Sequence, residues 1–194
     1  MLFRSHRGQE SAGIVSTTQS GEVHSIRAMG LVSDQFSAEK MATLVGPVAM
    51  GHTRYSTAGS STIENAQPAL VRFKGGHIVL AHNGNLTNAS ELRHELEDQG
   101  AIFSSTMDSE VLVHRIARSA SDKPEHRLAD ALQGVEGAYC LVVVVGNTLL
   151  AARDPRGWRP LVIGKLGDAT IFASESCALE IGRASCRERV LVQV

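Results

Sequence analysis

No apolar run in the chain approaches 18 residues, so no segment reads as a membrane-spanning helix. The N-terminus has no apolar stretch of the signal-peptide kind. Net charge is nearly absent: 19 Lys and Arg against 20 Asp and Glu leave −1. That balance gives no reason to expect a nucleic-acid partner or a membrane surface. Cysteine is scarce. Cys140, Cys177 and Cys186 form no C-x-x-C pair and cannot all pair with one another, which suits a reducing cytoplasm rather than a disulfide framework. Eight histidines show no H-E-x-x-H spacing, so a zinc enzyme is not indicated and no metal ligands are expected. No G-x-S-x-G elbow offers an activated serine. Internal repeats and low-complexity segments are missing too.

What remains is a chain of 194 residues, 43% hydrophobic, long enough to bury a core of its own. Apolar alternation predicts a strand over residues 11–16 with a hairpin partner over 23–28. A short helix is expected over 37–44, then a buried strand over 48–52. Residues 55–67, rich in Ser, Thr, Gly and Asn, read as a long loop of the kind that serves as a lid. Gly75-Gly76 marks a turn before a strand over 77–82. Asn88 reads as the N-cap of a helix over 89–99 that Gly100 stops, with Leu92 and Leu96 on its inner face. A short extended piece covers 101–105, and helices follow over 109–119 and 126–132. The β-branched run 138–145 is a strand, and further strands fall over 149–153, 161–163 and 170–174. Strands gather at both ends and helices lie between them. That order argues for antiparallel sheets with helices packed on them, an α+β class.

Two segments carry chemistry: Gly51-His52-Thr53-Arg54-Tyr55-Ser56-Thr57 and Ala81-His82-Asn83-Gly84-Asn85. They place a guanidinium, a carboxamide and a flexible backbone N–H at the ends of apolar runs. That set suits a substrate with a carboxylate and a reacting carbonyl. Arg54 is able to grip a carboxylate through two parallel charge-assisted bonds, or to stand in an ordinary ion pair. Asn83-Gly84 offers two N–H donors to a developing oxyanion, or makes a plain Asn-Gly turn. Asp108 precedes a helix, where it serves either a ligand or the helix N-terminus. His52 and His82 read as strand-end core histidines, and Cys140, inside a buried strand, as inert packing.

The wording of several segments goes further. His6-Arg7-Gly8-Gln9-Glu10-Ser11-Ala12-Gly13, the two segments above, Glu64-Asn65-Ala66-Gln67-Pro68, Met107-Asp108-Ser109-Glu110, and the late strings RDPRGWRPL and ASESCAL resemble the class II glutamine amidotransferases. Within them the chain looks most like the amidophosphoribosyltransferase type, over residues 3–179. The resemblance implies a four-layer α/β/β/α sandwich of the N-terminal-nucleophile hydrolase type, with its first strand missing. It implies Asn83 and Gly84 as the oxyanion hole, Arg54 on the α-carboxylate of glutamine and Asp108 on its ammonium. Tyr55 and Thr57 open a mobile loop expected to close over the substrate, and Arg7 is either structural or part of the site.

By the same resemblance, glutamine is hydrolysed to glutamate and ammonia. The ammonia passes to a phosphoribosyltransferase domain of the same full-length chain, which makes phosphoribosylamine in the first step of de novo purine synthesis. That second domain is expected to need Mg²⁺, whereas this one needs no cofactor. The complete protein is expected to be a cytoplasmic homo-oligomer that binds neither nucleic acid nor membrane. Alternatives are a domain of the glucosamine-6-phosphate synthase type, and a non-catalytic glutamine-binding module.

The family nucleophile is an N-terminal cysteine, and no cysteine precedes Cys140. The chain therefore reads as a fragment, truncated at both ends and without glutaminase activity. Residues 180–194 carry three closely spaced basic residues and resemble a translated sequencing-adapter read-through, so the domain is assigned to 1–179 and the rest to a non-native tail. Arg156, Trp158 and Met107 depart from the usual family residues.

Overall fold

The computed structural model describes residues 10–55, 61–181 and 185–187, with side chains through residue 179. Arg7 and Thr57 lie outside the described residues. Strand β1 (Ser11–Thr17) forms a hairpin with β2 (Val23–Met29), and β3 (Val48–Arg54) pairs antiparallel on the other side of β1. The second sheet runs β4 (Ala69–Phe73), β5 (Gly76–Leu86), β6 (Gly137–Val145), β7 (Thr148–Arg153), all antiparallel. Between β5 and β6 the chain forms α3 (Ala89–Asp98), α4 (Glu110–Arg118) and α5 (Pro124–Leu132). A third sheet holds β8 (Val162–Leu166), β9 (Ala169–Ala173) and β10 (Ser185–Arg187), with α6 (Ser176–Ile181) before β10. The expected boundary at residue 179 falls inside α6, and β10, from the expected tail, pairs with β8.

The layers follow from side-chain alternation. On β5, Ile78, Leu80 and Leu86 point to the helices and join Leu92, Leu96, Val111, Leu112, Ile116 and Leu128 in the large core. Val79 and Ala81 point the other way and meet Val15, Met50 and Val144 between the two sheets. The α+β class and the stacked antiparallel sheets agree with expectation. Two helices between β2 and β3, α1 (Val32–Gln35) and α2 (Ala38–Ala42), are short and bury no residue.

Four local expectations change. Strand β3 is not a buried strand but an edge strand: Met50 and Arg54 are buried while Ala49, Gly51 and Thr53 face solvent. Strand β4 and helix α1 have no counterpart in the sequence reading. Asn88 stands at the N-cap of α3 without capping it; its carboxamide instead clips the loop before β6, bonding the Gly134 carbonyl and the Glu136 N–H. Asn83 and Gly84 do not make a turn or end a strand. Strand β5 runs through them to Leu86, with Gly84 opposite Tyr139. Gly84 has a φ of 153°, and a Cβ there would collide with the Ala138 carbonyl, so the ladder continues through this point because the residue is glycine.

Candidate active site

Strand β5 is paired on both edges only as far as Leu80, where β4 begins at Ala69. Beyond it no strand among the described residues pairs with that edge, and side chains bond to it instead. In a strand, N–H groups two residues apart point to the same side. The His82 N–H donates to Gln67 Oε1 at 2.7 Å, and the Leu86 N–H to Asp108 Oδ2 at 2.8 Å. Between these two, the Gly84 N–H turns to the same open edge, and the ladder gives it no partner there. Thr87, of the other parity, bonds across the opposite edge to Glu136, which fixes the alternation. The oxyanion-donor expectation for Gly84 thus meets a backbone donor flanked by two satisfied ones.

The inter-sheet face supplies the rest. Arg54 closes β3 with 6% exposure, on the face that carries Met50 toward the second sheet. Asn83 follows Val79 and Ala81 on the facing side of β5. His52, two residues before Arg54 on the same face, reaches across so that its Nε2 lies 3.1 Å from the His82 carbonyl oxygen. Its pKa is lowered to about 4, first by burial, with the bond to His82 opposing and the His82 and Arg54 charges adding. Cys140 stands opposite Asn83 in the register, and burial pushes its thiol up to about 11. The family's departures sit apart: Met107 is buried, while Trp158 is exposed.

Asp108 does not act as a side-chain cap inside α4. Its Oδ1 accepts the Ser109 N–H at 2.8 Å and lies 3.4 Å from His82 Nδ1, while Oδ2 holds β5. Burial raises its carboxyl. The hydrogen bond and charge of His82 and the N–H groups of Leu86 and Ser109 outweigh that and hold it below the usual carboxylate range. Each carboxylate oxygen retains a lone pair for a further donor.

Three residues that the sequence reading gave no role build the surround. Gln67 fills the open edge. Buried Asn65 forms a reciprocal pair with Thr106, its Nδ2 donating to Oγ1 at 2.8 Å and its Oδ1 accepting the Thr106 N–H at 3.0 Å. Glu110, also buried, accepts from the N–H and hydroxyl of Ser104 and of Ser105, and so sets the turn that carries Asp108. Asn65 and Gln67 lie in the Glu64–Pro68 string, where no periodicity signals a role. Tyr55 is 41% exposed, next to Arg54 and short of these contacts. Among the described residues no group of three or more His, Cys, Asp and Glu is arranged to hold a metal ion. No helix among them is long and apolar enough to cross a membrane.

Comparison with known proteins agrees with this geometry. The family profile described as a glutamine amidotransferase domain matches residues 52–180. Amidophosphoribosyltransferase 2, chloroplastic, of Arabidopsis thaliana is 45% identical over 186 residues, which is 95% of this chain and 33% of that one. Amidophosphoribosyltransferase of Methanothermobacter thermautotrophicus is 46% identical over 91% of this chain and 37% of its own. The chain thus spans about a third of the length of these relatives. The solved glutamine phosphoribosylpyrophosphate amidotransferase of Bacillus subtilis superposes with a TM-score of 0.88 at 40% identity, covering 96% of this chain and 40% of that one. With the profile matching well over half its length, and the stacked sheets of the N-terminal-nucleophile type beneath it, the chain belongs to the glutamine amidotransferase domain family.

Proposed function

We propose that this domain binds L-glutamine and forms the glutamine-hydrolysing half of an amidophosphoribosyltransferase. The observation that carries the reading is the Gly84 N–H, turned to the open edge of β5 between Gln67 and Asp108, beside Asn83. Arg54 binds the α-carboxylate in the gap between the sheets, and Asp108, ionised at neutral pH, takes the α-ammonium. Tyr55 and Thr57 begin the segment that closes on the bound amino acid. Asn83 Nδ2 and the Gly84 N–H receive the oxygen of the side-chain amide as it becomes negative.

The chemistry requires a thiolate to add to that amide carbon. The C–N bond then breaks, the nitrogen leaves protonated as ammonia, and water cleaves the thioester to glutamate. Electrostatic stabilisation of such an oxyanion contributes about 3–4 kcal/mol per donor. Cys140 does not supply the nucleophile: its thiol, raised to about 11 by burial, is protonated at neutral pH and buried on β6 across from Asn83. With Cys140 excluded as nucleophile, this reading assigns the chain glutamine binding rather than hydrolysis. In the complete protein, by this reading, the ammonia goes to a Mg²⁺-dependent phosphoribosyltransferase domain, in a cytoplasmic homo-oligomer. The purine-enzyme names of relatives 42–46% identical favour this over the glucosamine-6-phosphate synthase type.

Calorimetry tests the reading. L-Glutamine is expected to bind saturably, and Arg54→Ala to weaken that binding at least a hundredfold, the loss of a bidentate charged pair. The same chain is expected to release no glutamate. Glutamate release that Arg54→Ala abolishes would refute the assigned lack of a nucleophile, and binding indifferent to Arg54→Ala would refute the site.

A further inference from the structure

Arg54 and Asn83 belong to different sheets. Stacked sheets stand about 10 Å apart, too far for their backbones to bond. The distance between a group on β3 and a group on β5 therefore depends on what spans the gap. Deep in the sandwich the filling is apolar, with Val15 and Met50 against Val79, Ala81 and Val144. At the site end it is one ring: His52, whose Nε2 lies 3.1 Å from the His82 carbonyl oxygen. That carbonyl belongs to the peptide unit that delivers the Asn83 nitrogen. His52 is thus two residues from Arg54 on one strand and one peptide from Asn83 on the other.

The ring's chemistry suits a spacer. A carbonyl oxygen accepts only, so Nε2 carries the proton and donates. Nδ1 is buried and has no partner among the described residues, which fits a bare lone pair. On the opposing strand β1, Gly13 has no side chain to compete for the space, and the Gln67 carbonyl oxygen fills it instead. The charged or titratable groups that face the ring are Arg54 on β3 and His82 on β5. Both disfavour a proton on it, so the ring stays a neutral donor.

We propose that His52 is a positioning residue. Its bond to the His82 carbonyl sets the separation between Arg54 and the Asn83–Gly84 donors, and so the length of the amino acid whose carboxylate and side-chain carbonyl both find partners. On this proposal glutamine matches that separation, and asparagine, one methylene shorter, is expected to reach only one end. This rests on the roles given above to Arg54, Asn83 and Gly84.

Two measurements test it. Long-range proton–nitrogen NMR of the unaltered chain is expected to find His52 in the Nε2–H form, without titration between pH 8 and 5. An Nδ1–H ring, or ordinary titration near 6.5, overturns the proposal without reference to any ligand or variant. Calorimetry with L-glutamine and L-asparagine is then run on the unaltered chain, His52→Leu and His52→Gln. The leucine variant is expected to lose at least about tenfold of the preference for glutamine, the scale of a one-methylene discrimination. The glutamine variant, whose amide N–H reaches as Nε2 does, is expected to recover it. A His52→Leu chain that binds glutamine with its preference intact sinks this proposal alone. An unaltered chain that binds neither amino acid sinks the site reading, and this inference with it.

Discussion

The two halves of β5 differ in what stands along their edges. Residues 76–80 have β4 on one side and β6 on the other, and backbone meets backbone throughout. Residues 81–86 keep β6 but have no strand opposite among the described residues, and the Gln67 and Asp108 side chains substitute. A strand satisfies every second N–H of its neighbour. Here two side chains take N–H groups four residues apart, at His82 and Leu86, and among the described residues leave the one between, at Gly84. One strand therefore gives the fold a core with its first half and a donor for a ligand with its second.

Opposite responses to substitution break or sharpen that division. Leu80, on the helix-facing side of the first half, is 1% exposed. Leu80→Ala is expected to cost about 3 kcal/mol in denaturant unfolding, through lost burial and a cavity. Glutamine affinity of the folded molecules is expected to stay as it was. Gln67→Met leaves shape and volume nearly unchanged but strands the His82 N–H. Its expected cost is smaller, about 2 kcal/mol for an unsatisfied buried donor, and glutamine affinity is expected to fall several-fold as the edge loosens. If Leu80→Ala weakened binding and Gln67→Met did not, the two halves would not be distinct.

Much of this was legible in the residues, and the gaps have physical causes. The β-branched run 138–145 announced β6 because a strand buried on both faces needs apolar residues at every position. Leu92 and Leu96 announced α3 by helical spacing. The end of β5 was placed too early at residue 82, since the Asn-Gly dipeptide that favours a tight turn also tolerates the positive φ with which the ladder continues through Gly84. Strand β4 was missed: Ala69–Phe73 is short, and its solvent face carries Val71. Gln67, Asn65 and His52 act through hydrogen bonds to residues 15 to 41 positions away. No local periodicity encodes a contact of that kind. Arg54 was singled out by the wording of the segment around it, since a strand-end arginine alone reads as an ordinary ion pair, whereas His52 beside it read as packing.

Acid is expected to separate the two sides of the site. His52 is depressed to about 4 in the folded chain, so the unfolded chain binds the proton more readily. Its contribution to stability is full above about pH 6.5 and is lost as pH falls from there toward 4. His114, lowered mainly by burial, acts in the same direction, so the His52 share is read by difference against His52→Gln. Asp108 is also depressed, from 3.8, and its contribution is lost only on further acidification through its folded pKa. Urea unfolding between pH 8 and 4 is expected to give a declining stability whose slope is shallower in His52→Gln. Equal slopes would mean that the ring is not held neutral.

The smallest effect concerns Cys140, which stands beside the second half of β5, across from Asn83. It faces the inter-sheet core with 4% exposure. Burial raises its thiol to about 11, with Arg153 opposing and Asp154 adding to the rise. At pH 7.5 roughly one thiol in three thousand is then ionised, and alkylation proceeds through the thiolate. Cys177 is exposed. Iodoacetamide at that pH is expected to modify Cys177 and spare Cys140 in the folded chain, and to modify both in denaturant, as read by peptide mass spectrometry. Glutamine changes neither rate if the thiol lies below the site rather than in it. Ready modification of Cys140 in the native chain, suppressed by glutamine, would instead place a reactive sulfur beside the oxyanion donors. The chain would then hold a nucleophile of its own beside the second half of β5.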